Sequence, residues 1–166
     1  MRQREGEVPL GFDPAGLDGD ARLTFIGRIR SPWTSRDACP KNMREARDAG
    51  LPASVEVDEP YRRGLEGLER ASHLVILSWF DRAERNLITQ RPRHAPRPSG
   101  TFALRSPVRP NPIGLHVARL LAVYPATGVL EIDAIDVIDG TPVLDLKPYF
   151  ASIDAFPEAV VTPTQS

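Results

Sequence analysis

Arginines and prolines crowd one stretch of this chain, Leu104 to Leu120, which reads LRSPVRPNPIGLHVARL. Arg105 and Arg109 alternate there with Pro107, Pro110 and Pro112. Ser106, Arg109 and Asn111 each precede a proline, which pushes their backbone out of the helical region. Such a loop has few conformations to lose when it meets a ligand. A guanidinium carried on it offers a planar fork of donors suited to a carboxylate or a phosphate. Gly114 permits close backbone approach. Two readings stand: a preformed pocket for an anion, or a stiff connection between two strands.

A second candidate is acidic. Ile135 to Tyr149, IDVIDGTPVLDLKPY, places Asp136, Asp139 and Asp145 around a tight turn with Lys147 beside them. A carboxylate at such a turn can accept two hydroxyls of a ribose; an Asp-Gly turn with a neighbouring salt bridge would look the same. The third candidate is Arg30 to Asn42, RSPWTSRDACPKN, where Arg-Ser-Pro again opens a long loop after a strand. Two stiffened loops and an acidic turn could converge at one end of a barrel, a common place for ligands. Dinucleotide, nucleotide-phosphate, serine-hydrolase and zinc-protease signatures are absent from the sequence. His73, His94 and His116 are far apart and lack metal spacing. His73 and His116 open strand-like runs and read as structural or surface positions rather than catalytic ones.

The elements that must position these residues are bounded by composition. The chain has 166 residues, 41% hydrophobic and 26% charged, enough for one compact domain with a core. No apolar run long enough to span a membrane is present, and the polar start lacks the apolar centre of a signal peptide. The single cysteine, Cys39, cannot form an internal disulfide and offers no cluster for zinc, which fits a reducing cytoplasm. Net charge is −1, against a generally basic nucleic-acid binder. The charge is nonetheless uneven. From Arg82 to Arg109 there are seven arginines and one acid, whereas from Glu131 to Glu158 there are seven acids and one lysine. A local basic stretch can contact phosphate while the whole chain stays near neutral.

Residues 1–22 read as an arm and 151–166 as a proline-containing tail that wraps the surface. Leu23–Arg30, Ser54–Asp58, His73–Phe80, Leu115–Tyr124, Val129–Ile138 and Val143–Leu146 read as strands, several by period-two alternation. Tyr61–Ala71 predicts one short helix, and a helical turn fits within the loop from Ser31 to Gly50. Asp139-Gly140 predicts a two-residue hairpin between the strands on either side of it. Asp81–Gly100 shows no periodicity, and loops of that length are functional or disordered. Strands dominate and do not alternate with helices, so the expected fold is mainly β. It is a small single-domain β-barrel with one or two short helices.

Four segments in order, IGRIRSP, GLEGLERASHLVIL, GTFALRSPVRPNPIGLHVARL and IDVIDGTPVLDLKPY, resemble the TrmO family, also called YaeB or TsaA-like. The likeness runs from about Leu23 to Phe150, giving a TsaA-like domain over 23–150. It implies an S-adenosylmethionine-dependent methyltransferase, usually a cytoplasmic homodimer, without a metal. It also implies methyl transfer to N6 of N6-threonylcarbamoyladenosine beside the anticodon of tRNA. Carried over by motif, the cofactor would meet Pro40, Lys41, Asn42, Asp81, Arg82, Arg105, Leu115, Asp139, Gly140, Thr141 and Pro142. The acceptor nitrogen is a poor nucleophile, so a base would help; Asp139 is the candidate, with Lys147 as an electrostatic helper. Asp81-Arg82 stands where bacterial members often carry His-Gln. Many members also carry a further C-terminal domain, whereas this chain stops soon after KPYF. The expected tRNA grip is therefore Arg85, Arg91, Arg93, Arg97 and Arg109. Two other functions fit the same residues: methylation of a small molecule or another RNA, and RNA binding without catalysis.

Overall fold

The computed structural model describes residues 4–17, 21–92, 95 and 97–161. Among them the strands are β1 (Val8–Pro9), β2 (Gly27–Arg30), β3 (Ala53–Val57), β4 (His73–Trp79), β5 (Leu87–Gln90), β6 (Ser99–Gly100), β7 (Ile113–Tyr124), β8 (Val129–Ile132) and β9 (Pro142–Pro148). The α-helices are α1 (Met43–Ala49) and α2 (Ala151–Asp154), joined by a few short 3-10 turns. The protein is mainly β. It forms two compact units: one of Met1–Ala21, Arg82–Pro112 and Ala155–Ser166, the other of Arg22–Asp81 and Ile113–Asp154.

The second unit is built on a ring of antiparallel pairings. The order is β2, β3, β8, β7, β4, β9, and β9 pairs back onto β2. Period-two sequence explains which side chains point inward. Leu74, Ile76 and Ser78 of β4 are buried, and in register beside them so are Gly114, His116 and Ala118 of β7. Leu74, Ile76 and Ala118 join Ile29, Val55, Leu130, Ile132, Ile135, Val137 and Val143 in one continuous core. Two polar residues, Ser78 and His116, therefore sit at positions the alternation reserves for apolar ones.

Two expectations are corrected here. Tyr61–Ala71 is not one helix but two 3-10 turns, Glu59–Leu65 and Leu68–Arg70. Gly67, at φ +85°, separates them, a conformation an α-helix cannot contain. Asp139-Gly140 is a turn but not a hairpin. The strand expected over Val129–Ile138 ends at Ile132 as β8, which pairs β3 and β7, while β9 pairs β2 and β4. Likewise only Gly27–Arg30 of the strand expected over Leu23–Arg30 joins the ladder. The helical turn fitted into the Ser31–Gly50 loop is α1, stopped by Gly50 at φ +63°.

The first unit holds the small sheet β1-β5-β6, so the stretch read as aperiodic contains two strands. Its centre is polar. The buried Gln90 amide donates to Thr101 Oγ1 at 2.9 Å and to the Val108 carbonyl, and the Thr101 hydroxyl donates to the Leu87 carbonyl at 2.9 Å. Every buried group in this chain of bonds has a partner, which is what makes such a centre tolerable.

Ile76 is fully buried at the middle of the ring. Ile76→Ala is expected to lower unfolding free energy by about 2–5 kcal/mol, read by denaturant titration.

Candidate functional site

Where β2 ends, Arg30-Ser31-Pro32-Trp33 turns across the segment that follows β8, and the two are stitched together. The Ser31 hydroxyl donates to the Val137 carbonyl at 2.7 Å, and the Trp33 indole N–H donates to the Ile135 carbonyl at 2.8 Å. The Ser31 amide donates to Asp139 Oδ1 at 3.0 Å, and the Asp139 amide donates to the Trp33 carbonyl at 2.7 Å. The Gly140 amide, with its residue at φ +80°, donates to the Ile29 carbonyl at 2.9 Å. Arg28 donates to the Gly140 carbonyl at 3.1 Å, and the Thr141 hydroxyl donates to the Ile138 carbonyl at 2.6 Å. The first loop and the acidic turn thus meet.

The expected cofactor residues of this unit fall around that junction with different freedoms. Pro40 is half-buried and Lys41 exposed. Asn42 caps α1: its side-chain oxygen accepts the Glu45 amide at 3.0 Å, while Glu45 accepts the Lys41 amide at 3.0 Å. This reciprocal cap explains why a helix begins here. Arg47 fixes the helix, donating to the Val117 carbonyl at 2.6 Å and to Asp133 at 3.1 Å. Asp139 is part-exposed and its Oδ2 lies 3.9 Å from Arg30. Asp81 is exposed after β4, Leu115 is half-exposed on β7, and Thr141 and Pro142 are buried. Lys147, on β9, is exposed with its ammonium 2.6 Å from Asp145 Oδ2.

The remaining expected residues belong to the first unit. Arg82, Arg97 and Arg105 are exposed. Arg93 lies outside the described residues. Arg91 is half-buried, its amide donating to Glu7 at 3.3 Å and its guanidinium 3.7 Å from Glu5. Arg109 turns inward on its own loop, donating to the carbonyls of Ser106 and Thr101, each at 3.0 Å, and to that of Leu104. Arg85 donates to the Pro110 carbonyl at 2.6 Å. Of the two readings of the proline loop, the stiff connection describes what Arg109 does.

One group was missed. Ser78 Oγ lies 2.9 Å from His116 Nε2, and His116 Nδ1 lies 2.7 Å from Asp136 Oδ1. The Phe80 ring meets His116 edge-on at 6.0 Å between centroids. A methyl group on Gly114 would overlap Ser78 Oγ, the imidazole and Phe80. His116 is buried in the strand ladder, held between Ser78 and Asp136. The signal for its partners was the alternation itself, which puts Ser78 and His116 inward together once β4 and β7 are paired. Burial and the Asp136 charge push the nearby Cys39 thiol up to about 11. Among the described residues no helix is long and apolar enough to cross a membrane, and no group of three acids, histidines or cysteines is placed to hold a metal ion.

A profile of the tRNA-methyltransferase O N-terminal domain matches residues 28–155. The chain belongs to that family. Over 147 residues it is 38% identical to a probable S-adenosyl-L-methionine-binding protein, VirR, of Rhizobium radiobacter, covering 89% of this chain and 79% of VirR. It is 35% identical to a tRNA (adenine(37)-N6)-methyltransferase of Escherichia coli, over 85% of this chain and 63% of that protein. A solved TrmO structure superposes with a TM-score of 0.71 at 35% identity, over 86% of this chain and 64% of that one. The chain thus spans a little under two thirds of these two longer TrmO relatives. Both the first loop from Arg28 and the acidic turn lie within the stretch that the TrmO profile covers.

Two outcomes follow from these contacts. Arg109→Ala leaves three loop carbonyls without their donor. It is expected to cost about 1–3 kcal/mol and to raise amide exchange across Thr101–Arg109, with lysine, which lacks the fork, a poor substitute. A thiol raised to about 11 stays protonated at neutral pH. Alkylation of Cys39 by iodoacetamide should be slow there and quicken only in strong base, and Asp136→Asn should move that quickening to lower pH.

Proposed function

We propose that this chain transfers a methyl group from S-adenosylmethionine to N6 of an adenosine in tRNA. The acceptor is N6-threonylcarbamoyladenosine beside the anticodon. The observation that carries the reading is the 35% identity, over most of this chain, to a protein named as a tRNA (adenine(37)-N6)-methyltransferase. The same reading makes the strand ring a small β-barrel and the protein a cytoplasmic homodimer, as the family resemblance implies.

The residues around the junction fit the cofactor by their chemistry. Its groups are a carboxylate, an ammonium, a ribose diol, an adenine and a sulfonium. Lys41 is an exposed cation that makes no ion pair among the described residues, which suits the carboxylate. Asp81 is an exposed carboxylate whose side chain is equally unengaged, which suits the diol. Leu115 presents apolar surface, 50% exposed, to an adenine face. The Asp139–Pro142 turn is held rigid by the bonds to Ser31, Trp33 and Ile29. When bound, S-adenosylmethionine supplies a methyl group already activated by its sulfonium. What remains for the protein is to align the acceptor nitrogen and take its proton, so orientation by a rigid floor is most of the work.

The test is methylation with labelled S-adenosylmethionine. One acceptor is tRNA from cells lacking this protein; the other is matched tRNA that also lacks the threonylcarbamoyl group. Label is expected in the first alone, and rising salt is expected to weaken tRNA binding steeply. Cofactor binding with no label in either would point to a small molecule or another RNA. tRNA binding that ignores the cofactor would point to an RNA-binding module without catalysis.

A further inference from the structure

Two carboxylates on the same segment, three positions apart, face different surroundings. Asp139 is engaged at both oxygens: Oδ1 accepts the Ser31 amide and Oδ2 faces Arg30. Its geometry is that of a clamp on the first loop. Asp136 is engaged at one oxygen only. Oδ1 meets His116 Nδ1 at 2.7 Å, and Oδ2 has no hydrogen-bond partner among the described residues. The Asp136 side chain keeps 17% of its surface exposed, whereas His116 keeps 4% and Ser78 none. The line Ser78–His116–Asp136 therefore runs from the interior of the ring to a partly exposed carboxylate with one oxygen unpaired among the described residues.

The direction of the hydrogen bonds follows from the donors present. An ionised Asp136 only accepts, so His116 Nδ1–H donates to it. Nε2 is left to pair with the Ser78 hydroxyl. The imidazole is held between these two bonds, with the Phe80 ring near-perpendicular to it and room for it left by Gly114. Asp136 has the same kind of support on its own backbone, since Ile135 and Val137, its neighbours in sequence, accept from Trp33 and Ser31. A carboxylate held by an imidazole, with its second oxygen unpaired among the described residues, can take a proton as a general base. Its charge reaches Cys39, which directly precedes Pro40, Lys41 and Asn42.

We propose that Asp136, oriented by His116 and Ser78, is the group that takes the proton from the acceptor nitrogen, and that Asp139 holds the loop instead. This rests on the methyltransferase reading above. As the bond from N6 to the methyl carbon forms, the bond from that carbon to sulfur breaks and its electron pair stays on sulfur, leaving a neutral thioether. The N6–H bond breaks and the proton moves to Asp136 Oδ2. His116 and Ser78 are positioning residues in this assignment; neither exchanges a proton with the substrate.

The experiment compares Asp136→Asn, Asp139→Asn, His116→Leu and His116→Asn in the labelled assay. Cofactor binding is read by calorimetry and folding by thermal melting. Asp136→Asn is expected to lower kcat about 10²- to 10⁴-fold while cofactor Kd and KM hold. Asp139→Asn is expected to act mainly on cofactor KM. His116→Leu should lower kcat, and His116→Asn, whose amide nitrogen stands where Nδ1 does and can still donate to Asp136, should recover part of it. Asp136→Asn with near wild-type kcat, or with cofactor binding lost in step with kcat, would overturn the assignment. So would equal kcat in the two His116 variants, a comparison that stands even if Asp136→Asn does not fold. Absence of label with wild-type protein would overturn the functional reading and this assignment together, whereas an active Asp136→Asn overturns the assignment alone.

Discussion

Between β8 and β9 the backbone leaves the ladder, from Asp133 to Thr141, and its polar groups lie against a hydrophobic core. Ile135 and Val137 are buried, so the carbonyls beside them cannot rely on water. The loop after β2 supplies the missing partners: the Trp33 indole, the Ser31 hydroxyl and the Ile29 and Trp33 carbonyls. Much else in the second unit follows from this exchange. The first loop has a fixed course at its start because the Ser31 and Trp33 side chains are occupied. The acidic turn has a fixed course because its amides are donated to the loop. Under the proposed function, a site made of both is organised before any ligand arrives, which is the condition under which alignment contributes most to rate.

The proline loop solves the same problem by another route. Pro107, Pro110 and Pro112 have no backbone N–H, so the loop is short of donors for its own carbonyls. Arg109 makes up the deficit with one planar group that reaches three carbonyls, and Arg85 serves a fourth at Pro110. An arginine in a proline-rich stretch therefore need not mark an anion site. Its donors are attracted to oxygen, and the nearest unsatisfied oxygens are those of the loop. Arg97 and Arg105, by contrast, are exposed.

How far the sequence could be read follows the range of the forces involved. β4 and β7 were legible as strands because a β-branched, aromatic and nearly continuous apolar run is a local signal, whereas which face of each points inward emerges only from their pairing. The acidic turn and the loop from Arg30 were legible as motifs, and they do meet. Asp139-Gly140 failed as a hairpin because turn chemistry sets the local bend, while the partners of β8 and β9 are chosen by distant strands. The run after Ile132 keeps an alternating look, yet Ala134 and Ile135 are both buried, so the chain has already left extended pairing. Tyr61–Ala71 carried the spacing of a helix, but Pro60, Gly64 and Gly67 limit it to tighter turns. Ser78 and His116 were each unremarkable alone. Only the register, Ile76 opposite His116 and Ser78 opposite Gly114, brings their side chains to one another.

That register also explains why polar atoms are tolerated inside the ring. A lone histidine at position 116 would leave two ring nitrogens in an apolar core, and a lone serine at position 78 would leave a hydroxyl; either costs more than the same group paired. Together they cancel each other's deficit, but one imidazole nitrogen remains over, and only an acceptor at the margin can take it. Asp136 fills that place because the segment after β8 is not in the ladder and can turn a side chain inward. The interior network is thus complete only when the irregular segment is docked. The bond that satisfies the core is the bond that orients the carboxylate, so the packing of the ring and the geometry of the site cannot vary independently.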